Sequence, residues 1–256
     1  MKPGTMLRLC AIVLLSLSLA PSALAEQIKV LTTGAFKQVV VALAPDFEAR
    51  TGHRLDVQND TAGALAKRVD GGESFDVLVL TPAAIAKYSA TGKIAPGTGT
   101  ALAKVGIGLA VKAGAAVPEI RTVDQFKKVL LDARAIAYID PASGGSSGIY
   151  LSRLFQDLGI AAQVKQKAVL VPGGLVAPRL LNGEADVALH QVSEILPVQG
   201  VILVGPLPEE IQHYTEYAGG VGAASAHREA AQAFLSVLSG TSAADTIRSK
   251  GMLPSR

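Results

Sequence analysis

The amino-acid sequence predicts an α/β protein of two lobes, each with a mixed, mostly parallel sheet, joined by crossover strands with a ligand cleft between them. Short apolar segments alternate with amphipathic segments along the chain, as in strand–helix units. The segment 76–80 is almost wholly apolar, which is typical of a strand covered on both faces. With 256 residues, 49% hydrophobic and 18% charged, the chain can bury a sizeable core and is not a disordered protein.

Residues 1–25 are predicted to be a secretory signal peptide that is cleaved after Ala25. Lys2 and Arg8 supply a basic start, and an apolar run over 9–20 leads to small residues before the cleavage point. An apolar run of this length is too short to span a bilayer as a helix. We therefore expect a periplasmic protein with no membrane span after cleavage.

Cleavage would change both the charge and the cysteine content of the chain. Lys2 and Arg8 are the only charged residues before residue 26, so the formal net charge of +3 would fall to +1. Cys10 is the only cysteine, and its loss excludes a disulfide framework or a cysteine zinc site. A near-neutral chain with 4% aromatic residues and no tryptophan gives no support for nucleic-acid binding.

The first part of the mature chain contains three strand–helix units. Apolar residues recur at helical spacing from Phe36 onward, and Gly52 ends that helix. The predicted strands are 28–32, 54–58 and 76–80, and the predicted helices are 36–50, 63–70 and 82–92. Three such units in succession predict a largely parallel sheet.

A longer strand predicted over 105–112 crosses into a second α/β series. Its predicted helices are 122–131, 148–158 and 175–181, and its strands are 135–139, 168–171, 185–189 and 201–204. The chain then ends with a strand over 214–224 and helices over 227–238 and 242–250. We therefore assign 26–107 and 206–256 to lobe I and 108–205 to lobe II.

Four loops at the carboxyl ends of predicted strands are candidates for ligand contact: 32–35, 59–63, 140–148 and 172–174. Ligands bind at this edge of open α/β sheets because helix N-termini and free backbone amides converge there. Each loop alone is equally typical of a helix cap or a tight turn. Four of them, divided between two α/β series, favour a cleft between the lobes.

Other chemical motifs are absent from the sequence. It has no phosphate-binding GxxxxGK[ST] loop, no GxGxxG opening the first helix and no HExxH. We therefore expect neither a metal nor a cofactor. His53 and His227 are expected at exposed helix ends, whereas His190 ends a strand and could face the cleft.

Several segments, in order and at matching spacing, carry a family resemblance over residues 27–253. They are Ile28–Leu31 with Phe36, Thr61–Ala66 with Gly72–Val77, Asp140–Pro141 with Ser147–Tyr150, Asn182–Ala188, and Glu216–Tyr217. With them the chain resembles the molybdate-binding proteins of ABC transporters, within the type II periplasmic binding proteins. The resemblance implies two α/β lobes, a small anion held in the cleft by hydrogen bonds, and an ABC permease as partner. We expect a monomer.

The resemblance places ligand contacts at five positions: Ala35, Ala62, Ser147, Gly173 and Gln191. The family's two serine hydroxyls match Ala35 and Ala62, and its tyrosine matches Gln191. A buried oxygen left without a hydrogen bond costs roughly 1–3 kcal/mol. We therefore expect an anion other than molybdate, and a carboxylate suits the remaining donors better.

The full set of predicted ligand-binding residues combines these positions with neighbouring donors and glycines. It comprises Thr33, Gly34, Ala35, Lys37, Thr61, Ala62, Gly63, Ser146, Ser147, Gly173, Arg179 and Gln191. The first predicted function is a periplasmic binding protein that delivers a small anion to an ABC transporter.

An enzymatic alternative comes from the same resemblance, because exported aconitate isomerases are similar to molybdate-binding proteins. Such an enzyme shifts a double bond by moving a proton, without metal or cofactor. It needs cations for carboxylates and an acid–base group. Lys37 and Arg179 could supply the charge, although both are equally typical of a solvated helix face. The predicted catalytic residues are His190, Glu194 and Lys37.

Overall fold

The computed structural model describes residues 25–255. The predicted signal peptide lies outside the described residues except for Ala25. Over 25–255, no helix is both long enough and apolar enough to cross a membrane.

The three predicted strand–helix units of the first half are confirmed. They are β1 (Gln27–Thr33), α1 (Gly34–Thr51), β2 (Arg54–Asp60), α2 (Ala62–Asp70), β3 (Val77–Leu80) and α3 (Pro82–Ala90). Thr61 and Thr81 begin the second and third helices by accepting a backbone N–H on their hydroxyls. Gly52 ends α1 in the left-handed conformation, as predicted.

The second half also follows the predicted alternation of strands and helices. Its elements are β4 (Thr100–Lys112), α4 (Val123–Asp132), β5 (Ile136–Ile139), α5 (Ser146–Asp157), α6 (Ala161–Gln166), β6 (Ala168–Val171), α7 (Pro178–Leu181), β7 (Val187–Gln191), α8 (Val192–Ile195), β8 (Val201–Pro206), β9 (Tyr214–Val221), α9 (Arg228–Ser239), α10 (Ala244–Ser249) and β10 (Leu253–Pro254).

Two differences from the predicted elements bear on the site. The helix predicted over 175–181 is only the four-residue α7, because Pro178 occupies its first turn and has no amide hydrogen to continue a preceding helix. The four-residue α8 was not predicted, because so short a helix has no apolar periodicity to recognise.

The strands form one mixed sheet in the order β2-β1-β3-β9-β4-β7-β5-β6, with β8 and β10 also pairing with β4. β1 runs parallel to β2 and β3, and β5 runs parallel to β6 and β7. Between these two parallel flanks, β9 and β4 pair in antiparallel fashion. The predicted mixed α/β fold is confirmed.

β4 is the strand that connects the two flanks. Its residues 100–106 pair with β9, and its residues 107–112 pair with β7 and β8. At the change of partner, the Gln212 side chain accepts the Ile107 N–H and donates to the Ile107 carbonyl oxygen, both at 2.9 Å. The predicted lobe boundaries beside residues 107 and 206 stay a prediction.

Each flank has its own aromatic core. Phe36, Phe47 and Phe234 are buried where α1 and α9 cover the first flank. Phe126 and Phe155 are buried beneath α4 and α5 on the second. α8 leaves the second flank after β7 and packs against α1. This crossing brings the end of β7 to the start of α1.

Candidate functional site

A small cavity lies where the strand ends of the two flanks face each other. Its volume is about 40 Å³, enough for a few water molecules. Its lining comes from the ends of β1, β2, β5 and β7, the starts of α1, α2 and α5, the loop after β6, and from α8 and β9. The residues are Thr33, Gly34, Ala35, Asn59, Asp60, Thr61, Ala62, Ile139, Gly145, Ser146, Ser147, Gly174, His190, Gln191, Glu194 and Tyr217.

Most residues predicted to form the site line this cavity. The structure brings together Thr33, Gly34, Ala35, Thr61, Ala62, Ser146, Ser147, His190, Gln191 and Glu194. It leaves Lys37, Gly63, Gly173 and Arg179 outside the lining. The loops at the carboxyl ends of strands therefore meet as the sequence suggested, whereas the predicted cations do not.

The two cations occupy different surroundings. Arg179 lies in α7 and its Nη1 contacts Glu184 Oε1 at 3.0 Å, with both side chains well exposed. Lys37 lies in the first turn of α1 and is half-buried, but it does not reach the cavity lining. No lysine or arginine in the described part of the chain lines the cavity.

Two of the predicted glycines, Gly63 and Gly173, lie outside the cavity lining. Gly63 is the second residue of α2, and its N–H donates to the Gly144 carbonyl oxygen at 3.0 Å. Gly173 lies close to Thr61, while its neighbour Gly174 lines the cavity instead. Gly63 therefore holds the two sides of the cavity together at their backbones.

Two helices that begin at the cavity lack a side-chain cap. Thr33 precedes α1 and Gly145 precedes α5, and neither makes a side-chain cap hydrogen bond. The first-turn amides of those helices are therefore not satisfied by a cap, and the helix dipoles favour negative charge there. α2 is different, because the Thr61 hydroxyl accepts the Ala64 N–H at 3.1 Å.

His190 and Glu194 form a buried pair on the cavity wall. His190 Nε2 lies 3.2 Å from Glu194 Oε2, and their side chains are 2% and 9% exposed. The pair exists because the turn from β7 into α8 places these residues, four apart, side by side. His190 Nδ1 is buried with no hydrogen-bond partner among the described residues.

Burial changes the pKa of both partners. Loss of water raises the pKa of Glu194 to about 8, because desolvation penalises the carboxylate. The same cause lowers the pKa of His190 to about 3, because desolvation penalises the imidazolium. Glu194 can therefore gain or lose a proton near neutral pH while the His190 imidazole stays uncharged.

Gly34 provides the space that the Glu194 carboxyl occupies. A Cβ placed on Gly34 would lie 2.5 Å from Glu194 Oε1. The carboxyl group therefore lies against the start of α1, where the helix dipole favours its charged form. Gly34 therefore leaves room for the Glu194 carboxyl group, in addition to its predicted place in the ligand site.

Two more residues of the cavity lining carry unpaired polar atoms. The Thr33 hydroxyl and Gln191 Oε1 are buried without a partner in the described chain. Gln191 Nε2 donates to the Thr215 hydroxyl at 2.8 Å. Burial, and next the charge of Glu194, raise the pKa of Tyr217, so its phenol stays protonated. Buried polar groups are rarely left unpaired, and their convergence on one cavity points to a polar ligand.

Sequence reasoning missed six lining residues: Asn59, Asp60, Ile139, Gly145, Gly174 and Tyr217. Asn59, Asp60, Gly145 and Gly174 lie in or next to loops that the sequence had marked. Tyr217 lies in the Glu216–Tyr217 segment of the resemblance, but its side-chain direction depends on how β9 pairs. In the described chain, no group of three or more His, Cys, Asp or Glu side chains could hold a metal ion.

The fold and this cavity at the strand ends define a solute-binding class of protein. The chain belongs to the bacterial extracellular solute-binding protein family, which residues 28–253 match. Solved structures share the fold. One is the periplasmic molybdate-binding protein of Azotobacter vinelandii, with a TM-score of 0.74 and 20% identity over 88% of this chain and 98% of that one. Another is a sulfate-binding protein of Mycobacterium tuberculosis, with a TM-score of 0.69 and 18% identity over 90% and 87%.

A curated relative is more similar in sequence. It is an aconitate isomerase of Pseudomonas sp., 34% identical over 254 residues, which cover 97% of this chain and 95% of the relative. The expected family is therefore confirmed, and the proteins similar to this chain include both binding proteins and an enzyme.

Proposed function

We propose that this protein is a cofactor-free isomerase that moves a double bond in a small unsaturated polycarboxylate, with aconitate as the first substrate to test. The observation that carries the proposal is the buried His190–Glu194 pair, which lines the cavity and whose Nδ1 has no partner among the described residues. A protein that only binds an anion has no use for an ionisable pair at this position, because burying such groups is costly. The 34% identical aconitate isomerase supports the same conclusion.

The pair can carry out the proton shift as a relay. In the reactive form, Glu194 is ionised and accepts the Nε2–H of neutral His190, so Nδ1 is a free base. Nδ1 removes a proton from the substrate's allylic CH₂ as the Nε2 proton passes to Glu194. The electron pair of the broken C–H bond delocalises over the three-carbon unit into an enolate. Return of the proton from Nδ1 to the far carbon completes the shift and restores Glu194.

This relay suits a buried site because the imidazole never becomes charged. The negative charge moves from Glu194 to the substrate and back, which avoids a desolvated imidazolium. The enolate oxygens would receive hydrogen bonds from the Thr33 and Tyr217 hydroxyls and from the first-turn amides of α1 and α5. Donors fixed before the reaction stabilise developing charge at low reorganisation cost.

The substrate must be admitted through an open form. A cavity of about 40 Å³ is too small for a six-carbon acid, and its walls come from both flanks of the sheet. We propose that the lobes separate about β4, beside Ile107, and close again on the ligand. Carboxylates outside the cavity would remain at the cleft mouth, where water screens their charge.

A second candidate function is delivery of a small anion to an ABC permease. The free helix starts of α1 and α5 favour it, because such starts bind anions without any catalytic group. Both functions use the same cavity, and both fit a monomer exported to the periplasm by the predicted signal peptide. They differ in whether a bound unsaturated acid is converted.

Conversion is tested by incubating the purified protein with cis-aconitate and following the trans isomer by proton NMR. We expect conversion whose kcat/KM rises with pH toward 8, because Glu194 must be ionised to accept the proton. A thermal-shift panel of both aconitates, citrate, sulfate and molybdate then identifies the ligand class. Binding of an anion without any conversion would exclude the isomerase and favour the transport function.

A further inference from the structure

We propose that Gly63 is a positioning residue for closure: its missing side chain lets the start of α2 meet the backbone at Gly144 across the cleft. The proposal goes beyond the proposed function, because it concerns the closed geometry and holds whichever anion the cavity takes. It also gives Gly63 a different role from the ligand contact that the sequence suggested.

The two segments of the chain approach so closely that their backbones are in contact. The Gly63 N–H donates to the Gly144 carbonyl oxygen at 3.0 Å, and the Thr61 hydroxyl donates to the Ser143 carbonyl oxygen at 2.6 Å. A Cβ on Gly63 would lie 2.8 Å from the Gly144 Cα, a distance that real Cβ atoms do not adopt. The nearest atoms are backbone, so no flexible side chain can move aside.

Local structure does not account for a glycine at this position. Gly63 lies inside α2, and its φ angle is not positive, so alanine fits the backbone. Glycine inside a helix is less favourable than alanine, because it loses more backbone freedom on folding. The contact with Gly144 is therefore the feature of the structure that requires glycine.

The same contact is coupled to the cavity through Thr61. Its hydroxyl caps α2 by accepting the Ala64 N–H, donates across the cleft to Ser143, and belongs to a residue that lines the cavity. Gly145 and Ser146 follow Gly144 directly and line the cavity from the other side. Contact between Gly63 and Gly144 thus sets how closely the two ligand-binding loops approach.

The substitution Gly63→Ala tests this role because it has opposite effects on folding and closure. We expect the thermal unfolding midpoint of the ligand-free variant to equal or exceed that of the wild type, since alanine favours α2. We expect affinity for trans-aconitate, measured by calorimetry, to fall about tenfold or more, because overpacked contacts are costly. Gly99→Ala is the matched control, because its Cβ would meet only ordinary contacts, at 3.5 and 3.9 Å.

A ligand-free measurement keeps the proposal separate from the proposed function. Amide hydrogen exchange should show the Gly63 N–H protected in the wild type, and small-angle scattering should show a larger radius of gyration for Gly63→Ala than for Gly99→Ala. If trans-aconitate does not bind the wild type, the proposed substrate is wrong and these two results still decide the role of Gly63. An unprotected Gly63 amide, or equal radii, would overturn it.

Discussion

Two histidine–glutamate pairs in this molecule have almost the same geometry and very different surroundings. His190 Nε2 lies 3.2 Å from Glu194 Oε2, and His227 Nδ1 lies 3.3 Å from Glu26 Oε1. The first pair is 2% and 9% exposed, whereas both side chains of the second are 34% exposed. Distance therefore does not distinguish the two pairs, but access to water does.

The difference shows what makes one pair a candidate for proton transfer. At the surface, water stabilises both charged forms, and such a pair contributes little. In the cavity wall, water is excluded, and the protonation states of His190 and Glu194 respond to each other and to a ligand. Burial by α8 against α1 creates this difference, because Glu194 lies on α8.

The largest expected effect is on the rate of catalysis. The test compares one variant at each of the two histidine–glutamate pairs. Glu194→Gln should lower kcat for aconitate isomerisation at least a hundredfold, because general acid–base groups contribute roughly 10²–10⁴-fold. Glu26→Gln is the matched control at the exposed pair and should leave kcat unchanged. Both are measured by NMR progress curves with cis-aconitate. Equal rates for the two variants would remove Glu194 from the mechanism.

The next effect is on stability as a function of pH. The pKa of Glu194 rises from 4.5 to about 8 on folding, so its contribution to stability falls as pH rises through that window. The pKa of His190 falls from 6.5 to about 3, so its contribution rises with pH up to 6.5 and offsets that of Glu194. Between pH 6.5 and 8 only the effect of Glu194 remains, and it lowers the free energy of unfolding by about 2 kcal/mol at most.

This pH dependence is measured by urea unfolding at pH 6.5, 7.25 and 8. Relative to the wild type, Glu194→Gln should remove the loss of unfolding free energy over this range, whereas Glu26→Gln should retain it. A wild-type free energy that does not fall over the range, or a Glu26→Gln variant that removes the fall, would contradict the role of burial.

A smaller effect is expected at Thr33, which also lines the cavity. Thr33→Val removes a buried hydroxyl that has no partner, so the free protein should become more stable while ligand affinity falls roughly tenfold. Thr32→Val is the matched control, because the Thr32 hydroxyl is buried outside the cavity lining and donates to the Thr33 carbonyl oxygen. Calorimetric titration with trans-aconitate checks the affinity. Equal losses for both variants would show that Thr33 has no special role.

The smallest effect is expected at the exposed pair of Arg179 and Glu184. Arg179→Ala should leave both kcat and the unfolding midpoint without measurable change, because exposed ion pairs contribute little. A rise in KM of tenfold or more would restore the role that the sequence suggested for this cation. Steady-state kinetics with cis-aconitate measures it.

The sequence predicted the fold well because its signals are local. Apolar periodicity between Phe36 and Arg50, the capping threonines, and the apolar run over 76–80 each determine an element by themselves. It also located most of the cavity, because loops at the ends of parallel strands must gather at one edge. It could not place the Tyr217 side chain in the cavity or the Arg179 side chain beside Glu184, because both depend on side-chain direction and on the partner that each side chain finds.

The chain by itself determined which segments become strands and helices, and that polar loops follow the strands, since propensity and periodicity act over a few residues. Only the tertiary structure decided that α8 folds back on α1 and removes His190 and Glu194 from water. It likewise decided that the Gly63 backbone meets that of Gly144. The pKa of a carboxyl group and the spacing of two backbones depend on atoms distant in sequence, and only folding brings those atoms together.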